Sequence, residues 1–138
     1  MSNDLKSILE SQFAAAWRMF VECVELCPES HWDELVAKYP FWLVAYHTLY
    51  CTDGYLERRE TDFKLDPRFH PGGQADIDEE YPSRRFTKAE LLEYARHCAE
   101  KAKRVFAGET AETLSGDCGF ARRNMCRAEL HVYNTRHV

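Results

Sequence analysis

Residues 41–51 read Phe-Trp-Leu-Val-Ala-Tyr-His-Thr-Leu-Tyr-Cys, and this run restricts what the chain can fold into more than any other segment. It is apolar on nearly every side and longer than a typical strand, so it is expected to be a helix packed by neighbours all round. Pro40 suits a first helical position, and Leu43, His47, Tyr50 and Gly54 share one face at helical spacing. Such a helix needs partners, and the chain supplies them. Over residues 5–27 apolar side chains recur at Leu9, Phe13, Ala16, Phe20, Cys23 and Cys27, in steps of four and three, as one stripe of a long helix that Pro28 closes. Thr87-Lys88-Ala89-Glu90 has the form of a capping box, with Phe86 placed to staple onto Leu91. It opens a helix whose stripe is Leu91, Ala95, Cys98, Ala102 and Val105 and which Gly108 is placed to end. A last stripe, Cys126, Leu130, Tyr133 and His137, runs to the end of the chain. Ser30, with Asp33 three residues on, is expected to cap one or two further helical turns as far as Ala37.

Four long helices with no strand signals make the expected fold class all-α, a four-helix bundle spanning residues 1–138 as one domain. Between the second and third helices, residues 57–86 hold Pro67, Pro71, Gly72, Gly73, Pro82 and an acidic tract over 76–80. This segment is expected to be irregular and to cross one end of the bundle, either as a plain strap or as the cover of a site. A second irregular connection is expected over 108–119. At 45% apolar residues, a chain of 138 can build its core without disulfides or a structural metal.

Eighteen Lys and Arg against 23 Asp and Glu give a net charge of −5. The basic residues cluster only as pairs such as Arg58-Arg59, Arg84-Arg85 and Arg122-Arg123, so the footprint that phosphate backbones require is missing and nucleic acid is not the expected partner. The longest apolar run, 39–53, falls short of the ~18 residues that span a bilayer, and the N-terminus has no signal-peptide pattern. A cytoplasmic protein with six reduced cysteines is expected. Cys23, Cys51, Cys98 and Cys126 should act as small core residues, and Cys23 with Cys27 reads as packing rather than as a metal pair. Cys118, between Asp117 and Gly119, is expected to be the most exposed thiol.

Two histidines carry the chemistry. His47, inside the most apolar helix, must satisfy both ring nitrogens, either as a neutral structural imidazole or as a metal ligand. His137 extends the inward stripe of another helix, and imidazoles from facing helices are how bundles build metal sites. Asp53, Tyr50 and Asn134 lie close enough in sequence to orient a ligand or a bound water, or simply to bond helix neighbours. His31, His70 and His97 fall on polar segments and receive no role.

At these residues the chain resembles a known family. Pro40-Phe41-Trp42-Leu43-Val44-Ala45-Tyr46-His47-Thr48-Leu49-Tyr50, followed by Asp53 and Tyr55-Leu56, is similar to the second-helix motif of DinB-like proteins, the DinB/YfiT superfamily of metalloenzymes. Glu129-Leu130-His131-Val132-Tyr133-Asn134-Thr135-Arg136-His137-Val138 is similar to its fourth-helix motif. The resemblance implies a four-helix bundle with a long loop between the second and third helices. It also implies a divalent metal, nickel or zinc, held by one histidine of the second helix and two of the fourth, spaced His-x-x-x-His. His47 and His137 match the first two ligands. The third would fall four residues after His137, past Val138, so the fourth helix is expected to be cut short here. His131 is not its substitute, since six residues place it about 120° around the helix from His137. The implied activity is metal-dependent hydrolysis, or transfer that uses a low-molecular-weight thiol such as bacillithiol, mycothiol or glutathione, on an unidentified small molecule. The alternative is a non-catalytic helical bundle that dimerises or binds a small ligand.

Overall fold

The computed structural model describes residues 4–73 and 82–138. Helix α1, Leu5–Leu26, starts where the Asp4 side chain accepts from the Ser7 amide at 2.8 Å, so one of the four orphan amides of the first turn is satisfied. Its buried residues are Leu9, Phe13, Trp17 and Val24. The expected stripe therefore holds at Leu9 and Phe13 and then departs. Steps of four and three track 3.5 residues per turn while a straight helix turns every 3.6, so the later positions rotate out of the interface and Cys23 ends exposed. Trp17 takes over, and its indole Nε1 donates to the Ala95 carbonyl at 3.1 Å.

The helical turns expected through Ala37 do not form. A single tight turn, Glu29–His31, leads into a two-residue antiparallel ribbon, β1 (Leu35–Val36) against β2 (Tyr39–Pro40), with Leu35 opposite Pro40 and Val36 opposite Tyr39. Ala37 at the connection has φ 58°, a conformation that ends any right-handed helix. Ser30 bonds the neighbouring His31 ring instead of a helix amide. Beneath the ribbon Trp32 is fully buried and donates to the Phe86 carbonyl at 2.8 Å.

Helix α2, Phe41–Tyr55, follows directly. Trp42, Leu43, Ala45, Tyr46, Leu49, Thr52 and Asp53 are buried, but Val44 and His47 are exposed. The expectation of burial on every side is thus corrected: Val44 and His47 are exposed and Thr48 and Cys51 half-buried, so this face of α2 is only partly covered among the described residues. Past α2 the chain makes one tight turn at Glu60–Asp62 and stays irregular through residue 73, pinned by Phe69 and His70, which are buried. The acidic tract over 76–80 lies outside the described residues.

Helix α3, Lys88–Gly108, begins at the capping box as read: Thr87 Oγ1 accepts from the Glu90 amide at 3.2 Å, and the Glu90 carboxylate accepts from the Thr87 amide at 2.9 Å. The connection expected to be irregular contains a short helix, α4, Ala111–Ser115, capped by Thr110. Helix α5, Arg127–His137, buries Arg127, Leu130, His131 and Asn134. The expected stripe is half right, since Leu130 is buried while His137 sits exposed at the helix end. Helix α1 packs on α3 and α5, and α2 packs on the same two. Among the described residues the fold is mostly helical with one small ribbon, and no helix is long and apolar enough to cross a membrane.

The thiols are sorted differently from expectation. All six are free, and Cys118 is buried rather than exposed. Its Sγ lies 3.7 Å from the Phe120 carbonyl and 3.5 Å from that of Arg123. The turn that encloses it depends on Gly119, at φ 85°, where a Cβ would fall 2.2 Å from the Arg58 carbonyl oxygen.

Candidate functional site

Helix α5 runs antiparallel to α2. Arg127 at its start donates to the Leu56 and Glu57 carbonyls, and Asn134, two turns on, donates to the Thr52 carbonyl at 3.3 Å. The last turn of α5 therefore arrives beside the middle of α2, where His47 stands. Its Nε2 lies 3.5 Å from Cys51 Sγ, four residues along the same face, and its ring meets Tyr50 edge-on at 5.1 Å. Packing against one side of the His47 ring, then the charge on His137, hold the His47 pKa below the usual imidazole value. His137 turns its Nδ1 to the Tyr133 carbonyl at 3.0 Å and stacks near the Tyr133 ring at 4.3 Å. If Nδ1 carries the proton, as a carbonyl partner requires, the lone pair stands on Nε2. Burial pushes the Cys51 thiol up to about 11.

His47 and His137 are both exposed, and the link between them is electrostatic: His137 helps to lower the His47 pKa. The structure adds Cys51, which sequence reasoning took for core packing. Among the described residues no group of three or more His, Cys, Asp or Glu stands ready to hold a metal ion.

The remaining candidates divide. Tyr50 does lie beside His47. Asp53 faces the other way, buried against α3, where Lys101 Nζ donates to Asp53 Oδ1 and to Glu57 Oε1 at 2.6 Å each and to the Asp53 carbonyl at 2.8 Å. The Tyr94 hydroxyl donates to Asp53 Oδ2 at 2.8 Å, and His70 Nε2 lies 3.0 Å from that hydroxyl. The Asp66 amide donates to His70 Nδ1 at 3.0 Å, so the His70 proton belongs on Nε2 and the chain of bonds runs His70 to Tyr94 to Asp53. A cleft of about 450 Å³ beside this network is lined by Asp53, Glu57, Lys64, His97, Lys101 and Arg104. Asn134 serves the α2 backbone rather than the histidines.

A second buried network sits under α4. Arg127 Nε donates to Glu109 Oε1 at 3.1 Å, Thr113 donates to Oε2 at 2.8 Å, and His131 Nε2 lies 3.4 Å from Oε1. Burial tends to raise the Glu109 pKa, but the bonds from Thr113 and Arg127 together bring it below the usual carboxylate value. His131 is pushed down to about 4, by burial first and then by Arg127, and is neutral at neutral pH. Sequence reasoning assigned no role to His70 and missed Lys101, Arg127 and Glu109. One signal was available: Asp53 on an otherwise apolar helix demands a buried cation.

Comparison of the chain with protein-family models, with curated proteins and with solved structures found no match.

Proposed function

We propose that the chain is a DinB-like metal-dependent enzyme, a four-helix bundle in which His47 and His137 hold a divalent ion, nickel or zinc. Two segments support the family reading, residues 40–56 and 129–138, and one observation supports the site: α5 runs antiparallel along α2, and His137 is near enough to bear electrostatically on His47. Both rings lie at the surface, so a small substrate reaches them without the bundle opening. A bound ion supplies Lewis-acid activation of a water or of a low-molecular-weight thiol. The chain's own groups position it. The Tyr133 carbonyl fixes the His137 ring through Nδ1, and the Tyr50 ring limits the swing of His47.

Metal analysis of the purified chain beside His47→Ala tests the proposal. Wild type should retain close to one divalent ion per chain after desalting and the variant none. Equal metal in both would overturn it. A second reading, a non-catalytic bundle that takes a small apolar ligand or a second copy, draws on a groove of about 370 Å³ between α1 and α3, lined by Phe13, Trp17, Val21, Ala99 and Phe106. That reading stands if metal is absent from both proteins.

A further inference from the structure

We propose that the cleft between α3 and residues 64–67 is a second binding site, independent of the metal-site reading, for a small molecule that carries an oxyanion, a carboxylate or a phosphate ester. Its volume, about 450 Å³, falls within the ~300–1,000 Å³ of small-ligand sites. His97, Lys101 and Arg104, at steps of four and three, line it from one face of α3. Asp53 and Glu57 of α2 and Lys64 and Asp66 of the irregular segment line the other walls.

The charges in this cleft are sorted by sign. Each carboxylate is already paired: Lys101 Nζ lies 2.6 Å from both Asp53 Oδ1 and Glu57 Oε1, and Arg68 holds Asp66 at 2.8 Å. The cations are not. Lys64 and Arg104 are exposed and form no ion pair among the described residues, and His97 Nε2 stands 4.0 Å from Asp53 Oδ1, too far for a hydrogen bond. An anion that enters therefore meets two unpaired charges and a ring N–H donor without displacing an internal carboxylate. Arg104 supplies a planar fork that takes two oxygens of a carboxylate or phosphate, and Lys64 supplies a compact point charge. The concave walls concentrate this local positive field within a chain whose net charge is −5.

The walls are set before any ligand arrives. The segment that carries Lys64 is irregular, yet buried contacts fasten it to α2 and α3. Phe69 stacks on Tyr94 at 4.2 Å, the Tyr46 hydroxyl donates to the Phe69 carbonyl at 2.7 Å, and His70 links the Asp66 amide to the Tyr94 hydroxyl at 3.0 Å each. The Phe69 ring also flanks His97 at 5.2 Å. A connection held this closely has little freedom left to lose, which lowers the entropic cost of binding.

Titration of the full chain with inorganic phosphate and, separately, with citrate at constant ionic strength, followed through the His97 ring proton resonances, tests this. Wild type should show a saturable shift with at least one probe below ~10 mM. Tighter binding of phosphate assigns a phosphate ester, and tighter binding of citrate assigns a carboxylate. Arg104→Gln should weaken the tighter probe at least ~10-fold and Lys64→Gln at least ~3-fold, with unchanged circular dichroism spectra. Lys103→Gln removes the same charge outside the cleft and should leave binding within ~2-fold of wild type. No saturable shift with either probe would overturn the proposal. So would equal weakening by Lys103→Gln and Arg104→Gln, which is the mark of net charge rather than of a site. Neither result bears on His47 and His137, whose metal content is read separately.

Discussion

The two long faces of α2 carry similar side-chain chemistry and put it to opposite uses. Toward α3, Asp53 is buried, and its carboxylate accepts from Lys101 and Tyr94, while the three ammonium hydrogens of Lys101 find Asp53 Oδ1, the Asp53 carbonyl and Glu57. The charges of Asp53 and Lys101 are thus paired within the protein. Toward the end of α5, His47 and His137 stand exposed, and Cys51 meets the His47 ring by a long, weak contact and bonds the Tyr50 side chain. Buried polar groups must be satisfied to be tolerated, so a closed network holds the fold, whereas donors left unspent at a surface are free for a ligand. The aspartate that looked like an orienting group for His47 belongs to the first class.

The closed face should fail most severely when one partner is removed. Lys101→Met leaves Asp53 buried beside Glu57 without a cation, and loss of one partner of a buried pair costs about 3–5 kcal/mol. Urea unfolding should show that loss as a lower midpoint. A change below about 1 kcal/mol would mean that water already reaches the pair, and the contrast between the faces would collapse.

Acid should reach the buried network under α4 next. His131 titrates near 4 in the fold against an ordinary value of 6.5. Its contribution is therefore fully present above pH 6.5 and is lost as pH falls toward 4, because the unfolded chain takes up the proton first. The full difference is worth up to about 3 kcal/mol. Stability measured by urea at steps between pH 7 and pH 4 should fall in wild type and fall less steeply in His131→Gln. A flat profile in wild type would show that His131 charges freely beside Glu109.

A polar motif that is satisfied but exposed should lie between the extremes. Thr87→Ala removes the acceptor for the Glu90 amide at the start of α3 while water can replace it, a loss of about 1 kcal/mol. The urea midpoint should drop by that amount with the slope unchanged. No change would show that Arg84, which donates to Glu90 at 2.9 Å, holds the helix start by itself.

What the sequence made legible follows the range of the forces. The capping box at Thr87 and the start of α1 near Leu5 are local, and local signals were sufficient. The ribbon at residues 35–40 escaped because Ala37 adopts a left-handed conformation that its side chain does not advertise. The rotation of the α1 stripe toward Trp17 depends on α3, which no window within α1 contains. His47 and His137 could be singled out from helical spacing and the resembling motifs. Their exposure could not, since the apolar run from Phe41 onward gave no sign that Val44 and His47 are exposed and Cys51 only half-buried. The buried networks were hidden for the same reason: Lys101 and Arg127 look like ordinary surface residues until Asp53 and Glu109 are placed beside them across the fold.

The smallest effect on stability should come from the residue with the largest proposed role. His47 is exposed, its ring lies 3.5 Å from the Cys51 thiol, and the edge-on contact with Tyr50 is aromatic packing at the surface. Replacing it by alanine strands no buried charge and opens no cavity, so the urea midpoint of His47→Ala should stay within about 0.5 kcal/mol of wild type. Packing against the ring and then the nearby His137 hold the His47 pKa below its ordinary 6.5, so its contribution to stability is lost as pH falls below 6.5, and there the variant should gain on wild type. Unfolding at pH 7.5 and pH 5.5 reads both. A loss above about 1 kcal/mol at pH 7.5 would place His47 among the closed, structural groups, and the division between the two faces of α2 would have to be redrawn with Cys51 on the structural side as well.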